Sequence, residues 1–138
     1  MTKIFLRLIM FASFAILVGC ANHEKKRIEN ANKYLESRTD ISETVRSSIL
    51  NGKVLIGMFP DEAYAAAGAF TYTVERDPKW ESGAFPPEII FGQREKPDSS
   101  KISMTFCNKT QFDSKTPVVF TVYFEQGKAI RIEPKAKK

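Results

Sequence analysis

From Phe70 onward the apolar side chains of this chain tend to fall two residues apart, whereas before it they tend to fall three or four apart. That change of period restricts the fold more than any other feature, because one period suits strands and the other helices. Phe70-Thr71-Tyr72-Thr73-Val74 alternates apolar with polar, as does Ile102-Ser103-Met104-Thr105-Phe106-Cys107. Val118, Phe120, Val122 and Phe124 fall on one face of the longest predicted strand. Gln126-Gly127 supplies a turn into Ala129 to Ile132, where Ile130 and Ile132 share a face. By the same parity Cys107 falls opposite Ile102, Met104 and Phe106, off the main core.

Upstream, Ile28, Ala31 and Leu35 draw a thin helical stripe over Glu24 to Glu36, enough for light packing or for a helical linker. Asp40-Ile41-Ser42-Glu43 has the spacing of a capping box with Asp40 at the N-cap. Ile41, Val45, Ile49 and Leu50 then supply an apolar face that stops at Asn51-Gly52. Lys53 to Met58 reads as a short extended piece. Pro60 opens the next helix, Asp61 and Glu62 lie near its positive end, and Gly68 closes it. Between the early and late strands, Asp77 to Ser100 is rich in Pro, Gly, Ser and charge, and long loops around Ile89-Ile90-Phe91 are expected there. Helices first and strands afterwards predict an α+β fold, with two or three N-terminal helices packed on a small antiparallel β-sheet.

The N-terminus carries an address. Lys3 and Arg7 precede an uncharged stretch, Leu8 to Val18, which is short for a bilayer span and ends in small residues as signal peptides do. It closes on Leu17-Val18-Gly19-Cys20, which resembles the lipobox of bacterial lipoproteins. That resemblance implies acylation of Cys20 as the first mature residue, and a Cys with two or more acyl chains is a stable anchor. Ala21, in place of the Asp of inner-membrane retention, implies an outer-membrane location on the periplasmic side. The expected division is 1–19 signal peptide, 20–38 lipidated tether and weak helix, 39–134 α+β domain and 135–138 basic tail. With Cys20 committed to lipid, an intramolecular disulfide to Cys107 is not expected, although the periplasm would permit one.

Charge excludes one class of partner. The chain has 21 Lys+Arg against 16 Asp+Glu; without Lys3 and Arg7 the balance is 19 against 16, a net charge of +3. Part of that excess is the tail Lys135-Ala136-Lys137-Lys138, which suits anionic lipid or polyanionic envelope sugars, or simply solvent. No basic stripe interleaved with aromatics runs along the chain, so nucleic acid is not an expected partner.

Ile49-Leu50-Asn51-Gly52-Lys53-Val54-Leu55-Ile56-Gly57-Met58 resembles the SmpA/OmlA lipoprotein domain, whose pattern is an Ile-rich helix, Gly-Lys-Val, an aliphatic residue, Gly-Met and then a capped helix. Asp61-Glu62, Gly68 and the closing segment Phe124-Glu125-Gln126-Gly127-Lys128-Ala129-Ile130 match it as well. Phe59 stands where the family has Ser or Thr, no Pro follows Gly68, and Lys79 to Ser100 has no counterpart, so the chain reads as a divergent relative. The resemblance implies an accessory role in outer-membrane protein assembly and envelope integrity.

Catalytic chemistry finds little to work with. The single histidine, His23, lies three residues after Cys20 and far in sequence from any nucleophile, so neither a Ser-His-Asp nor a Cys-His site is expected. Ligand spacing for zinc and a glycine-rich phosphate loop are missing, and no metal or cofactor is expected. Asp61-Glu62 is explained by the helix N-terminus, and Glu75, Asp77 and Glu88 by solvated loops. The aromatics are more suggestive. Phe59, Trp80 and Phe85 lie in Pro-containing turns or loops, where an exposed ring anchors a partner protein. The plainer reading has Trp80 and Phe85 folding back over a sheet edge. The expected protein is a non-enzymatic lipoprotein that binds an envelope protein. The alternative is a periplasmic inhibitor or small-ligand-binding lipoprotein that presents a sheet face, as the similar fold of β-lactamase inhibitor proteins does.

Overall fold

The computed structural model describes residues 24–80 and 85–135. Cys20, His23, the signal segment and residues 136–138 of the tail lie outside them. The order is helix α1 (24–37), α2 (Glu43–Leu50), α3 (Pro60–Ala67), strand β1 (Phe70–Glu75), α4 (Pro86–Phe91), β2 (Lys101–Asn108), β3 (Val118–Glu125) and β4 (Lys128–Pro134). The strands form one antiparallel meander in the order β1-β2-β3-β4, so β1 and β4 are the edges. The fold is α+β, with the helices packed on one face of the sheet.

Strand alternation sets the core. Ile102, Met104 and Phe106 of β2 and Phe120, Val122 and Phe124 of β3 are all buried, and pair across the ladder as Ile102–Phe124, Met104–Val122 and Phe106–Phe120. Ile49, Val54, Met58 and the alanines of α3 close over them. Small residues let α3 lie close to the sheet, which is why this helix is written Ala63 to Ala67 with only Tyr64 interrupting. The other face carries Thr73, Ser103, Thr105, Thr121 and Tyr123 toward solvent, with hydroxyl contacts Thr73–Ser103 and Thr105–Thr121. Cys107 takes this face half-buried, as its parity requires.

Helix α1 is more firmly seated than its thin stripe predicts. Ala31 and Leu35 are buried in the common core, but Ile28 faces solvent and Arg27 takes the inward position. The guanidinium of Arg27 donates to two helix-end carbonyls, Ala66 (3.1 Å) and Ile49 (3.5 Å), the second of which also accepts from Gly52 N (3.1 Å). A charged residue is invisible to a count of apolar positions, and so the sequence understates this helix.

Four further expectations are corrected. Ser42, not Asp40, caps α2 by accepting from the Val45 amide at 3.3 Å, while Asp40 turns toward Arg94 at 3.7 Å. Leu50 is exposed, because the stripe of this two-turn helix is spent on Val45, Ser48 and Ile49. The expected long loop from Asp77 contains α4, with Ile89 and Ile90 buried and Phe91 at the surface. Part of the expected extended piece, Lys53 to Met58, is instead a tight turn at Ile56-Gly57.

The antiparallel order gives the sheet two distinct ends. One, the Asn108 end, gathers the starts of β1 and β3 with the ends of β2 and β4. The other, the Lys101 end, gathers their opposites.

Candidate functional site

The Gly57-Met58 pair builds a turn whose two halves face opposite ways. The Met58 side chain is buried, its sulfur accepts from the Leu55 amide (3.3 Å), and its own amide returns to the Leu55 carbonyl (3.2 Å). Gly57 takes φ +93°, a conformation that side chains resist. The turn is tied to β4 by Gly57 N donating to Ala129 O and Ala129 N donating to Met58 O, both at 2.8 Å. Ile56 and Ile130 each sit one residue from this tie, and they are 61 % and 48 % exposed.

The exposure of Ile130 corrects its expected place beside Ile132. A β-bulge lies between Tyr123 and Phe124: Phe124 pairs with Ala129 and Tyr123 with Arg131, so Ile130 is the extra residue. Ala129 takes the core position in its stead. One inserted residue flips the parity of a strand, and no side-chain alternation announces it.

Phe59, which follows the turn, is half-buried between two cations. The Arg94 guanidinium stands 5.0 Å from its ring centroid and the Lys128 ammonium 5.9 Å. The Phe59 amide donates to Glu62 Oε1 (2.9 Å), which supplies the returning half of a capping box although Phe59 has no oxygen to complete it.

Beneath lies a clasp of charged groups from four segments. Arg94 Nε donates to Asp61 Oδ2 (2.9 Å), Arg94 Nη2 lies 3.2 Å from Glu62 Oε2, and Tyr34 Oη donates to Asp61 Oδ2 (2.7 Å). Arg94 also donates to Tyr34 Oη at 3.1 Å, and Arg38 approaches Asp61 at 3.8 Å. Burial, with the Asp61 carboxylate as second cause, pushes the Tyr34 phenol well above its ordinary pKa. The Arg94 guanidinium is raised although burial opposes its charge, because Asp61, Tyr34 and Glu62 outweigh that cost. The clasp thereby fixes α1, the start of α3 and the segment after α4 beneath the Phe59 ring.

The other two expected contact residues sit apart from this turn. Trp80 is half-buried against the core, with Nε1 donating to Asp98. Asp98 in turn accepts from Gln93 Nε2 (3.1 Å) and Ser100 N (2.8 Å), so Trp80 belongs to the internal lacing of residues 77–100. Phe85 precedes α4 and is 69 % exposed. Ile56 and Ile130 were missed by sequence reasoning because Ile56 sits in a piece read simply as extended, and Ile130 in a strand read as sharing a face with Ile132.

The carboxylates weighed for acid–base work are dispersed. Asp61 and Glu62 are engaged by Arg94, Glu75 is opposite Lys101 at the sheet edge, Asp77 is buried and not solvated as expected, and Glu88 lies in the first turn of α4. Among the described residues no group of three His, Cys, Asp or Glu side chains is placed to hold a metal ion, and no helix is long and apolar enough to cross a membrane. Across the exposed sheet face runs an open groove of about 400 Å³, bordered by Thr73, Ser103, Tyr123 and Arg131. Compared with known proteins, the chain matches no family model, no curated protein and no solved structure.

Proposed function

We propose that this chain is an outer-membrane lipoprotein, anchored through Cys20 on the periplasmic side, that serves as a non-catalytic protein-binding accessory in envelope or outer-membrane protein assembly. The observation that carries the reading is the turn at Ile56–Phe59. Two exposed aliphatic side chains flank a doubly hydrogen-bonded tie, and an aromatic ring held by two cations stands beside them. Apolar groups on a rigid mount lose little entropy on docking, which favours protein recognition. Phe85 adds an exposed ring to the half-buried one of Phe59. The lipobox and the SmpA/OmlA resemblance supply the address and the kind of assembly.

Cross-linking capture of the lipidated protein from intact cells tests it. Recovery of β-barrel assembly subunits, lost in Ile56→Asp and Ile130→Asp with thermal unfolding unchanged, is the expected result. Capture unaffected by either substitution defeats the assignment of this surface, and empty capture defeats the accessory role.

The exposed sheet face favours a second reading, a periplasmic inhibitor or small-ligand-binding lipoprotein that uses the groove by Tyr123 and Arg131. Recovery of a single soluble hydrolase, with loss of capture in Ser103→Arg, would select it.

A further inference from the structure

The Asn108 end of the domain carries a charge asymmetry that the turn at Ile56–Phe59 does not use. Lys25 and Lys26 project from the first described turn of α1, Lys109 and Lys115 border the loop between β2 and β3, and Lys135 follows β4; all five are exposed. They share one end of the molecule. Gly52 lies so close to both Arg27 and Thr110 that a Cβ there would come within 2.9 Å of the Arg27 guanidinium carbon. Asn108 reaches the Ala67 carbonyl (3.4 Å), and Lys135 N donates to Val119 O (2.8 Å). Two carboxylates of this end are neutralised within it, Glu24 by Arg27 at 2.8 Å and Asp113 by Lys53 at 2.6 Å. Among the described residues none of the five lysines makes an ion pair.

Between Lys109 and Lys115 stands Phe112, 42 % exposed, with one edge against the buried Phe120 ring at 5.7 Å. Its loop is not slack. Gln111 pairs both ways with the Val54 backbone (2.7 and 3.0 Å), Thr110 Oγ1 donates to Gly52 O (2.7 Å), and Ser114 N donates to Lys109 O (3.0 Å). An aromatic ring held outward between two lysines combines an apolar group for the acyl boundary with charges for the headgroups.

We infer that the Asn108 end is a membrane seat: Lys25, Lys26, Lys109, Lys115 and Lys135 lie on anionic phospholipid headgroups, and Phe112 inserts between them. The inference rests on the anchor proposed above for Cys20, which specifies the occupant. Glu24 stands four positions after Cys20, and four residues span at most about 14 Å. An acylated Cys20 therefore holds the first turn of α1, and the lysines around it, close to the bilayer, where surface charge is still felt over about 8 Å at physiological salt. The Lys101 end, with Phe59 and Trp80, then points away from the bilayer toward partners.

The test uses the purified mature chain on vesicles with bromine-labelled acyl chains, composed of phosphatidylglycerol and phosphatidylethanolamine or of phosphatidylcholine alone. Phe112→Trp reports depth, and the native Trp80 at the opposite end is the reference. The expected result is quenching of Phe112→Trp on the anionic vesicles beyond the wild-type signal. That excess is lost on phosphatidylcholine, and lost again when Lys109→Glu and Lys115→Glu are added. No excess quenching on anionic vesicles overturns the seat, whether or not the chain floats with them. The mass of the N-terminal peptide reports the anchor separately. An unacylated Cys20 defeats the lipoprotein reading, whereas quenching of that unacylated chain on anionic vesicles would leave the seat standing.

Discussion

Asp61 Oδ2 accepts from Tyr34 and Arg94 together, while Asp61 Oδ1 is buried and meets no donor among the described residues. Such a group is stable only while its cation remains, since desolvating a lone carboxylate costs more than its remaining hydrogen bond returns. Arg94→Leu strands Asp61 and Glu62 at once and is expected to destabilise the fold by about 3 kcal/mol, read by chemical denaturation. Asp77 sets a dependence on acid. It accepts from Ser99 Oγ (2.6 Å), Lys79 N (2.9 Å) and Ser99 N (2.9 Å), and these bonds, the Ser99 hydroxyl first, hold its carboxyl at about 2 against an ordinary 3.8. A depressed carboxyl stabilises the fold above its ordinary value and ceases to as pH falls through its folded one. Stability should therefore decline from pH 3.8 toward about 2, and Ser99→Ala should flatten that decline in urea melts taken across the range.

At the scale of elements, two glycines separate strain from space. Gly52 and Gly57 both have positive φ, +72° and +93°. A Cβ at Gly52 would meet Thr110 and Arg27 at 2.8 and 2.9 Å, whereas one at Gly57 would meet nothing within 4 Å. Gly52→Ala is expected to cost about 3 kcal/mol, from the left-handed backbone and the displaced neighbours together. Gly57→Ala should cost about 1 kcal/mol, from the backbone alone. Thermal melts of the two variants decide the order; equal losses would mean that the Gly52 contacts yield freely. The bulge makes a similar contrast on β4. Ile130→Thr should leave stability within about 0.5 kcal/mol, while Ala129→Asp, placing a charge in the core, should abolish folding.

For the whole molecule, α1 is the element on which the organisation depends. It contributes Ala31 and Leu35 to the core, Arg27 to two helix-end carbonyls and Tyr34 to the Asp61 clasp. A chain beginning at residue 39 loses all four and is expected to lose cooperative unfolding, visible as a broad calorimetric transition. A sharp transition would show that residues 39–134 suffice as a domain. With α1 docked, the two ends of the sheet hold different chemistry, cationic at Asn108 and mixed aromatic and charged at Lys101.

The sequence by itself determined the α+β class, the four strands, the core face of β2 and β3, the helix that Pro60 opens and Gly68 closes, and the outward parity of Cys107. These follow from period and from local caps, which each segment carries within a few residues. Only the tertiary structure decided the docking of α1 through Arg27, the bulge that turns Ile130 outward and the pairing of Asp61 with Arg94, 33 residues away. Each of these depends on a polar group finding a partner distant in the chain, or on one unpaired residue in a ladder. Neither alters the local alternation of apolar and polar side chains from which a sequence is read.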